Sequence, residues 1–258
     1  MSRIVQQLYP VQSCHESAER TFLLRFNSQE IAAVAQPGQF INILAAESGK
    51  GPFLRRPFSI SRVEGSTIEI IFHVIGVGTD LLSRKQRGDW IDVLGPLGQS
   101  FHRDAEYDTA LLVAGGIGVA PFPFLTDDLL KRGVRIETFV GFRNARQIFT
   151  EHLQNIHIAT DDGSNGFHGN VLQLLESFLA QNNYGKPKIF SCGPAIMLKA
   201  LADLARRKNI CCEMSLEGQM ACGVGICQGC AVERAGGAEM YALVCKDGPV
   251  FLSTEVNL

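Results

Sequence analysis

Ala110-Leu111-Leu112-Val113-Ala114-Gly115-Gly116-Ile117-Gly118-Val119-Ala120-Pro121 sets the architecture of this chain. Its first five residues form a continuous apolar run, the pattern of a strand buried on both faces of a parallel sheet. A Gly-rich turn follows, and the apolar spacing beyond it predicts a helix from about Val119 to Lys131. Strand, glycine turn and helix in that order are the context of a dinucleotide-binding loop, in which backbone N–H groups at a helix start face a pyrophosphate. The full G-x-G-x-x-G fingerprint is missing, because Pro121 stands where the last glycine would be. Proline in a first helical turn is tolerated, since its missing N–H would have no partner there. A simple tight strand–helix turn is the competing reading of the loop.

Outward from this segment the strand–helix alternation continues. Strands are predicted at Ile136–Val140, Asn155–Ala159, Ile189–Ser191 and Cys211–Ser215, with helices near 169–181 and 194–207. Such alternation predicts a doubly wound α/β domain. Cys192-Gly193-Pro194 also joins an apolar strand to a helix, so both Gly loops belong at the C-terminal edge of the sheet, where ligands bind. Upstream the pattern is different. Thr21–Phe26, Gln39–Ile43 and Thr67–Phe72 are short β-rich runs, separated by turns such as Pro37-Gly38 and Glu64-Gly65-Ser66. They predict a small antiparallel β-barrel, closed by Gly95-Pro96-Leu97-Gly98 as a turn. The division follows as a barrel over residues 1–102, an α/β domain over 103–215 and a small C-terminal module over 216–258.

That module carries the most specific chemical signal. Cys222, Cys227, Cys230 and Cys245 have the spacing C-x4-C-x2-C followed by a distant fourth cysteine, the plant-type ferredoxin pattern for a [2Fe–2S] cluster. The glycines between the first three cysteines let the loop bend around inorganic sulfide and aim N–H groups at it. A structural zinc also takes four thiolates, usually as two C-x2-C pairs, and only one such pair exists here. Cys14, Cys192, Cys211 and Cys212 default to small buried hydrophobes, with Cys192 singled out by its loop.

Within the barrel, Arg56-Pro57-Phe58-Ser59 follows a loop containing Gly49 and Gly51. The arginine suits a diphosphate and the serine hydroxyl a flavin edge, against the alternative of an exposed arginine beside a capped turn. Gly76-Val77-Gly78-Thr79 leads into a short helix at Asp80–Ser83, a second candidate anion site.

Composition excludes several classes. The chain has 258 residues, 46% hydrophobic and 19% charged, with a net charge of −2. Basic residues are dispersed; Arg55-Arg56 and Arg206-Arg207-Lys208 are too short to suggest nucleic acid. The start of the chain lacks a basic segment followed by an apolar run, and the longest apolar stretch, Ala110–Leu125, is broken by glycine and proline. No membrane association is expected, and a reducing cytoplasmic setting is, where clustered cysteines hold metal rather than cross-link. The histidines show no metal-binding spacing; His73, in a predicted strand, reads as a pocket or core residue.

Together, R-P-F-S, G-G-x-G-x-A-P, C-G-P and the cysteine tail resemble the ferredoxin–NAD(P) reductase superfamily. Their order and the tail, with Thr160-Asp161-Asp162-Gly163-Ser164, Gly166 and Gly169, are similar to the electron-transfer subunits of class 1B dihydroorotate dehydrogenases. The resemblance implies FAD on the barrel, NAD on the α/β domain and a [2Fe–2S] cluster facing a partner. That partner is an FMN-containing catalytic subunit, two of each in the complex, in pyrimidine biosynthesis. It places Arg56 and Ser59 on FAD phosphate and isoalloxazine, with Pro57 and Phe58 shaping the pocket. Phe72, His73 and Val74 fall on the adenosine part and Gly78 and Thr79 on pyrophosphate. Gly115, Gly116 and Gly118 approach the nicotinamide nucleotide, with Cys192 near its ring, and the four tail cysteines bind the cluster. No acid–base catalytic residue is implied. Phe58 replaces the tyrosine of many reductases, and the tail replaces their terminal aromatic residue. Competing readings are the small subunit of a bifurcating oxidoreductase or sulfide dehydrogenase and, from another class, a zinc-stapled binding module.

Overall fold

Seven antiparallel strands build the first sheet: β1 (Val5–Ala18), β2 (Thr21–Asn27), β3 (Phe40–Leu44), β4 (Arg56–Ser59), β5 (Arg62–Glu64), β6 (Thr67–His73) and β7 (Trp90–Leu97). The computed structural model describes residues 4–45, 51–104, 106–237 and 239–258, so Gly49 of the loop before Arg56 lies outside the described residues. The strand order is β4-β3-β7-β1-β2-β6-β5. The sheet curls until Phe58 on β4 meets Phe72 on β6, their ring centroids 5.5 Å apart. Alternation sets the interior: Ile41 and Ile43 of β3 join Leu24, Phe26, Ile68, Ile70 and Val93 in the barrel core. A one-turn helix, α1 (Gln29–Ala32), begins at Ser28, whose hydroxyl accepts from Ile31 N.

Two features here depart from the sequence reading. β1, the longest strand of the barrel, was invisible to it, because VQQLYPVQSCHESA is largely polar and only Tyr9 and Val11 are buried. The expected turn at Gly95–Gly98 is instead the end of β7, which pairs with both β1 and β3. Gly95 belongs there because a Cβ would fall 2.6 Å from Ile41 Cγ2 on the neighbouring strand. Between β6 and β7, α2 (Val77–Ser83) begins one turn earlier than Asp80.

Parallel strands β8 (Thr109–Gly115), β9 (Arg135–Phe142), β10 (Ile156–Thr160), β11 (Phe167–His168), β12 (Pro187–Cys192) and β13 (Cys211–Ser215) follow. The terminal segment adds a hairpin, β14 (Ala231–Glu233) with β15 (Tyr241–Leu243), and then β16 (Val250–Leu252), which pairs antiparallel with β13. The second sheet therefore has the order β11-β10-β9-β8-β12-β13-β16. Both faces of β8 are buried, as its continuous apolar run requires. Ala110, Leu112 and Ala114 pack with α3 (Phe122–Lys131), while Leu111 and Val113 pack with α4 (Val171–Gln181) and α5 (Ala195–Lys208) on the other side.

α3 starts at Phe122 rather than Val119. A single 3-10 turn occupies Gly116–Val119, and Pro121 caps the helix that follows. Arg206, Arg207 and Lys208 fill the last turn of α5, where cations favour the negative end of the helix dipole. The strand order reverses between β8 and β12, so a crevice opens at their C-terminal ends. Among the described residues, no helix is long and apolar enough to cross a membrane.

Candidate cofactor cleft and cysteine site

The crevice is one wall of a cleft of about 580 Å³ shared by the two sheets and the start of the cysteine module. From the barrel come Arg56, Pro57, Phe58, Ser59, Phe72, His73 and Thr79; from the sheet edge, Gly116 and Cys192. The predicted residues Val74, Gly78, Gly115 and Gly118 are not part of this lining. The Val74 carbonyl accepts from Arg20 Nε and Nη2 at 3.2 and 2.8 Å.

Two positive features converge on the barrel side. A Cβ on Gly78 would stand 2.7 Å from Arg56 Nε, so the guanidinium lies directly across the first turn of α2. The first N–H groups of a helix have no intrahelical acceptor, and the dipole is positive there. Arg56 Nη1 donates to the Leu54 carbonyl, which holds the guanidinium in place and leaves its other donors available. Thr79 lines the cleft and also organises the turn before the helix. Its hydroxyl accepts from the N–H of Ile75 and Gly76 at 3.0 and 3.2 Å and donates to Gly76 O, shaping the turn in front of the helix. His73 Nδ1 lies 3.1 Å from Thr21 Oγ1. Burial, then the charges of Arg20 and Arg143, hold its pKa below the usual histidine value, which favours a neutral ring. Phe58 and Phe72 form an apolar wall that also belongs to the barrel core. A concave site with an apolar wall, one converging positive locus and a hydroxyl at Ser59 fits a flavin dinucleotide.

At the sheet edge the glycines are explained by contact. A methyl on Gly118 would run into the Cys192 carbonyl, and one on Gly115 would come 2.7 Å from Met197 Sδ and 3.0 Å from Pro194. These two residues let the β8 and β12 loops nest together, leaving Gly116 and Cys192 at the surface of the cleft. Burial pushes the Cys192 thiol up to about 12, with the Glu217 charge adding to the effect, so the group is a neutral, inert thiol. The third wall was not anticipated. Ser215, Glu217, Gly218, Met220 and Pro249 all line the cleft, bringing the exit of β13 and the approach to β16 into the site. Glu217 keeps contact with solvent through the cleft, yet the surrounding walls desolvate its carboxyl and raise its pKa. No spacing motif marks these residues; position after the last parallel strand is the only signal available. Thr160–Ser164 builds a turn instead, with the Asp162 carboxylate held below its ordinary range by the Ser164 hydroxyl and N–H.

The cysteine loop adjoins this wall. Left-handed backbone at Gly223 (φ +72°), Gly225 (φ +81°) and Gln228 (φ +61°) turns its amides inward. Cys222 Sγ accepts from the N–H of Val224 and Cys227, both at 3.4 Å, Cys245 Sγ from Gly225 N at 3.2 Å, and Cys230 Sγ from Cys245 N at 3.4 Å. The two amides draw the Cys222 thiol down to about 6. Amide donors aimed at sulfur suit thiolates and fit an iron–sulfur group. Among the described residues, no three His, Cys, Asp or Glu side chains gather as a single metal ion requires. The sulfurs instead stand as two pairs, Cys222 beside Cys227 and Cys230 beside Cys245 at 3.2 Å. That arrangement suits two irons better than one zinc.

A curled antiparallel barrel, a doubly wound sheet, the cleft between them and a four-cysteine tail define a ferredoxin-reductase-type electron-transfer protein with an iron–sulfur module. Residues 217–257 match the family described as the iron–sulfur cluster binding domain of dihydroorotate dehydrogenase B. The dihydroorotate dehydrogenase B (NAD+) electron transfer subunit of Geobacillus thermodenitrificans is 42% identical over 250 residues, covering 93% of this chain and 94% of that protein. Its counterpart in Bacillus caldolyticus is 41% identical over 249 residues, with the same coverage. Among solved structures, the NADH-dependent reduced ferredoxin–NADP oxidoreductase, from work on flavin-based electron bifurcation, superposes with a TM-score of 0.85 at 28% identity, covering 97% of this chain and 90% of that one. The chain belongs to the family of dihydroorotate dehydrogenase B electron transfer subunits.

Proposed function

We propose that this chain passes electrons from an FMN-bearing dihydroorotate dehydrogenase catalytic subunit to NAD+ in pyrimidine (UMP) biosynthesis. The observation that carries the reading is the shared cleft: the R-P-F-S strand, the nested β8 and β12 loops and the lead-in to the cysteine loop all meet in one cavity. When bound, the cluster supplies one-electron transfer and the flavin supplies the exchange between single electrons and a hydride pair.

The residues divide the work by chemistry. Arg56 and the first turn of α2 neutralise a diphosphate, while Ser59 offers a hydroxyl to a ring edge. Phe58 and Phe72 exclude water from the flavin face, and His73 and Val74 flank the adenosine side. Gly116 and Cys192 leave room for a nicotinamide ring, with Gly115 and Gly118 permitting the loop geometry. Glu217, its pKa raised by desolvation, supplies a carboxyl to the cleft wall beside Cys192 and Ser215. Cys222, Cys227, Cys230 and Cys245 hold the cluster. Arg143 lines the cleft and is positioned for the ribose end of a nucleotide, though the relatives' names favour NAD+.

The working complex contains two copies of each subunit and acts in the cytoplasm. The bifurcating oxidoreductase has the same architecture, but the higher identity of the dihydroorotate dehydrogenase B subunits supports the present reading. The test measures NADH formation from dihydroorotate, first with this chain alone and then with the FMN-bearing subunit added. The chain alone should reduce dyes with NADH but leave dihydroorotate untouched. Turnover of dihydroorotate by the isolated chain would overturn the subunit reading.

A further inference from the structure

Asn42 is an anomaly in β3. It is 1% exposed, and both ends of its side-chain amide, Nδ2 and Oδ1, lack a hydrogen-bond partner among the described residues. A buried amide without partners is costly, and such groups are uncommon in folded proteins. The space does not demand a polar residue. Phe40 on the same side of β3 and Leu97 on β7 belong to the apolar core beneath the cysteine module, with Leu94, Met220 and Val224 packed against it. Leucine would fill the same volume without the penalty.

The amide points at the cysteine loop. Gly223 has a left-handed backbone, and a methyl there would collide with Asn42 Nδ2. Gly223 follows Cys222 directly, and the neighbouring amides of Val224, Gly225 and Cys227 are already committed to cysteine sulfur. Thiolate and inorganic sulfide accept hydrogen bonds and do not donate them. The NH2 edge, the one lying against Gly223, is therefore the edge such a group would engage.

We infer that Asn42 is a positioning residue for the iron–sulfur centre: its side-chain NH2 donates a hydrogen bond to the sulfur of the cluster or its Cys222 ligand and raises the cluster's reduction potential. A donor stabilises the more negative reduced state, and hydrogen bonds to sulfur are one of the levers that set such potentials. Asn42 also pairs with Pro57 across β3 and β4, so the donor sits one strand from the R-P-F-S motif. The same strand pair thus touches both cofactor sites. This inference rests on the cluster reading given above.

Asn42→Leu in the full chain tests it. Iron, sulfide and FAD content should match the parent. An anaerobic titration followed by electron paramagnetic resonance should show the ratio of reduced to oxidised cluster at fixed potential falling about tenfold, a 59 mV shift for a one-electron couple. The flavin potential should stay in place. An unmoved cluster potential with full iron content would overturn the inference. Should Asn42→Leu fail to hold its cluster, the parent labelled with 15N-asparagine decides. Hyperfine coupling of the reduced cluster to an exchangeable side-chain amide supports the bond, and its absence refutes it. A parent without iron or sulfide would instead bring down the cluster reading, and this inference with it.

Discussion

Replacing Arg56 by alanine isolates the barrel's contribution to cofactor binding. The guanidinium bonds the Leu54 carbonyl through Nη1 and lies against Gly78 at the start of α2, and in the proposed reading its remaining donors engage the FAD phosphate. A hydrogen bond to a charged group contributes about 1.5–3 kcal/mol net. At about 1.4 kcal/mol per decade, Arg56→Ala should weaken FAD binding roughly ten- to a hundredfold. Arg56→Lys keeps a point charge but loses the planar fork, and should fall between the two. Gly78→Ala approaches the same contact from the other side, because its methyl forces the guanidinium away. The losses should therefore not add, and Arg56→Ala/Gly78→Ala should bind FAD little worse than Arg56→Ala alone. Flavin dissociation after dilution, followed by the recovery of flavin fluorescence, reads the affinity, and iron content serves as the control. FAD held by Arg56→Ala as tightly as by the parent would refute the placement of the diphosphate.

Serine at Cys222, Cys227, Cys230 or Cys245 should abolish or strongly reduce the visible iron–sulfur signal, whereas Cys211→Ser and Cys212→Ser should retain iron; iron and sulfide analysis of the six variants distinguishes the sets. Lys188 and Glu213 form a buried pair at 2.9 Å, with His102 Nδ1 3.1 Å from the same carboxylate. Lys188→Met should cost about 3–5 kcal/mol in urea unfolding by stranding Glu213, and Lys188→Met/Glu213→Leu should recover much of it. Burial raises the Glu217 pKa, so the folded state binds its proton more tightly than the unfolded chain does. The stability this lends is present at acid pH and is lost as pH rises from the ordinary carboxylate range through the raised value. Urea midpoints at pH 4 and pH 7 should show Glu217→Gln gaining on the parent at the higher pH; equal differences at both would reject a carboxyl desolvated by the cleft walls.

The α/β sheet was legible because each central strand is buried on both faces, which writes an uninterrupted apolar run into Leu111–Ala114 and a shorter one into Ile189–Phe190. The cysteine loop was legible for another reason: ligand spacing is a local constraint, and the glycines between the cysteines record the bend it needs. β1 and β7 were not, since each presents a mixed surface and β7 ends in glycine and proline that resemble a turn. Here the reason for glycine lies in another strand, at Ile41, and no local pattern contains it. The same limit hid Glu217, Met220 and Pro249. Their role in the cleft exists only once β16 has returned to β13, joining residues far apart in the chain.

That return changes how the terminal segment is understood. A module tethered only by its chain would place the cysteine loop loosely, and electron transfer falls steeply with separation. Here β16 pairs with β13, Leu216 N donates to Pro249 O at 2.8 Å, and Gln99 bonds Gly248 O and Lys246 O at 2.6 and 3.0 Å. Lys246 and Gly248 flank the segment just beyond Cys245, while Gln99 stands two residues after the last barrel strand. The loop containing Cys222 meets the barrel at Asn42, and the segment after Cys245 meets it at Gln99. Two ends of the cysteine site are thereby fixed to the domain that carries the R-P-F-S motif, and Pro249 and Met220 extend the fixed surface into the cleft. The covalent order makes the cysteine module an appendage of the α/β domain; the contacts make it equally a part of the barrel.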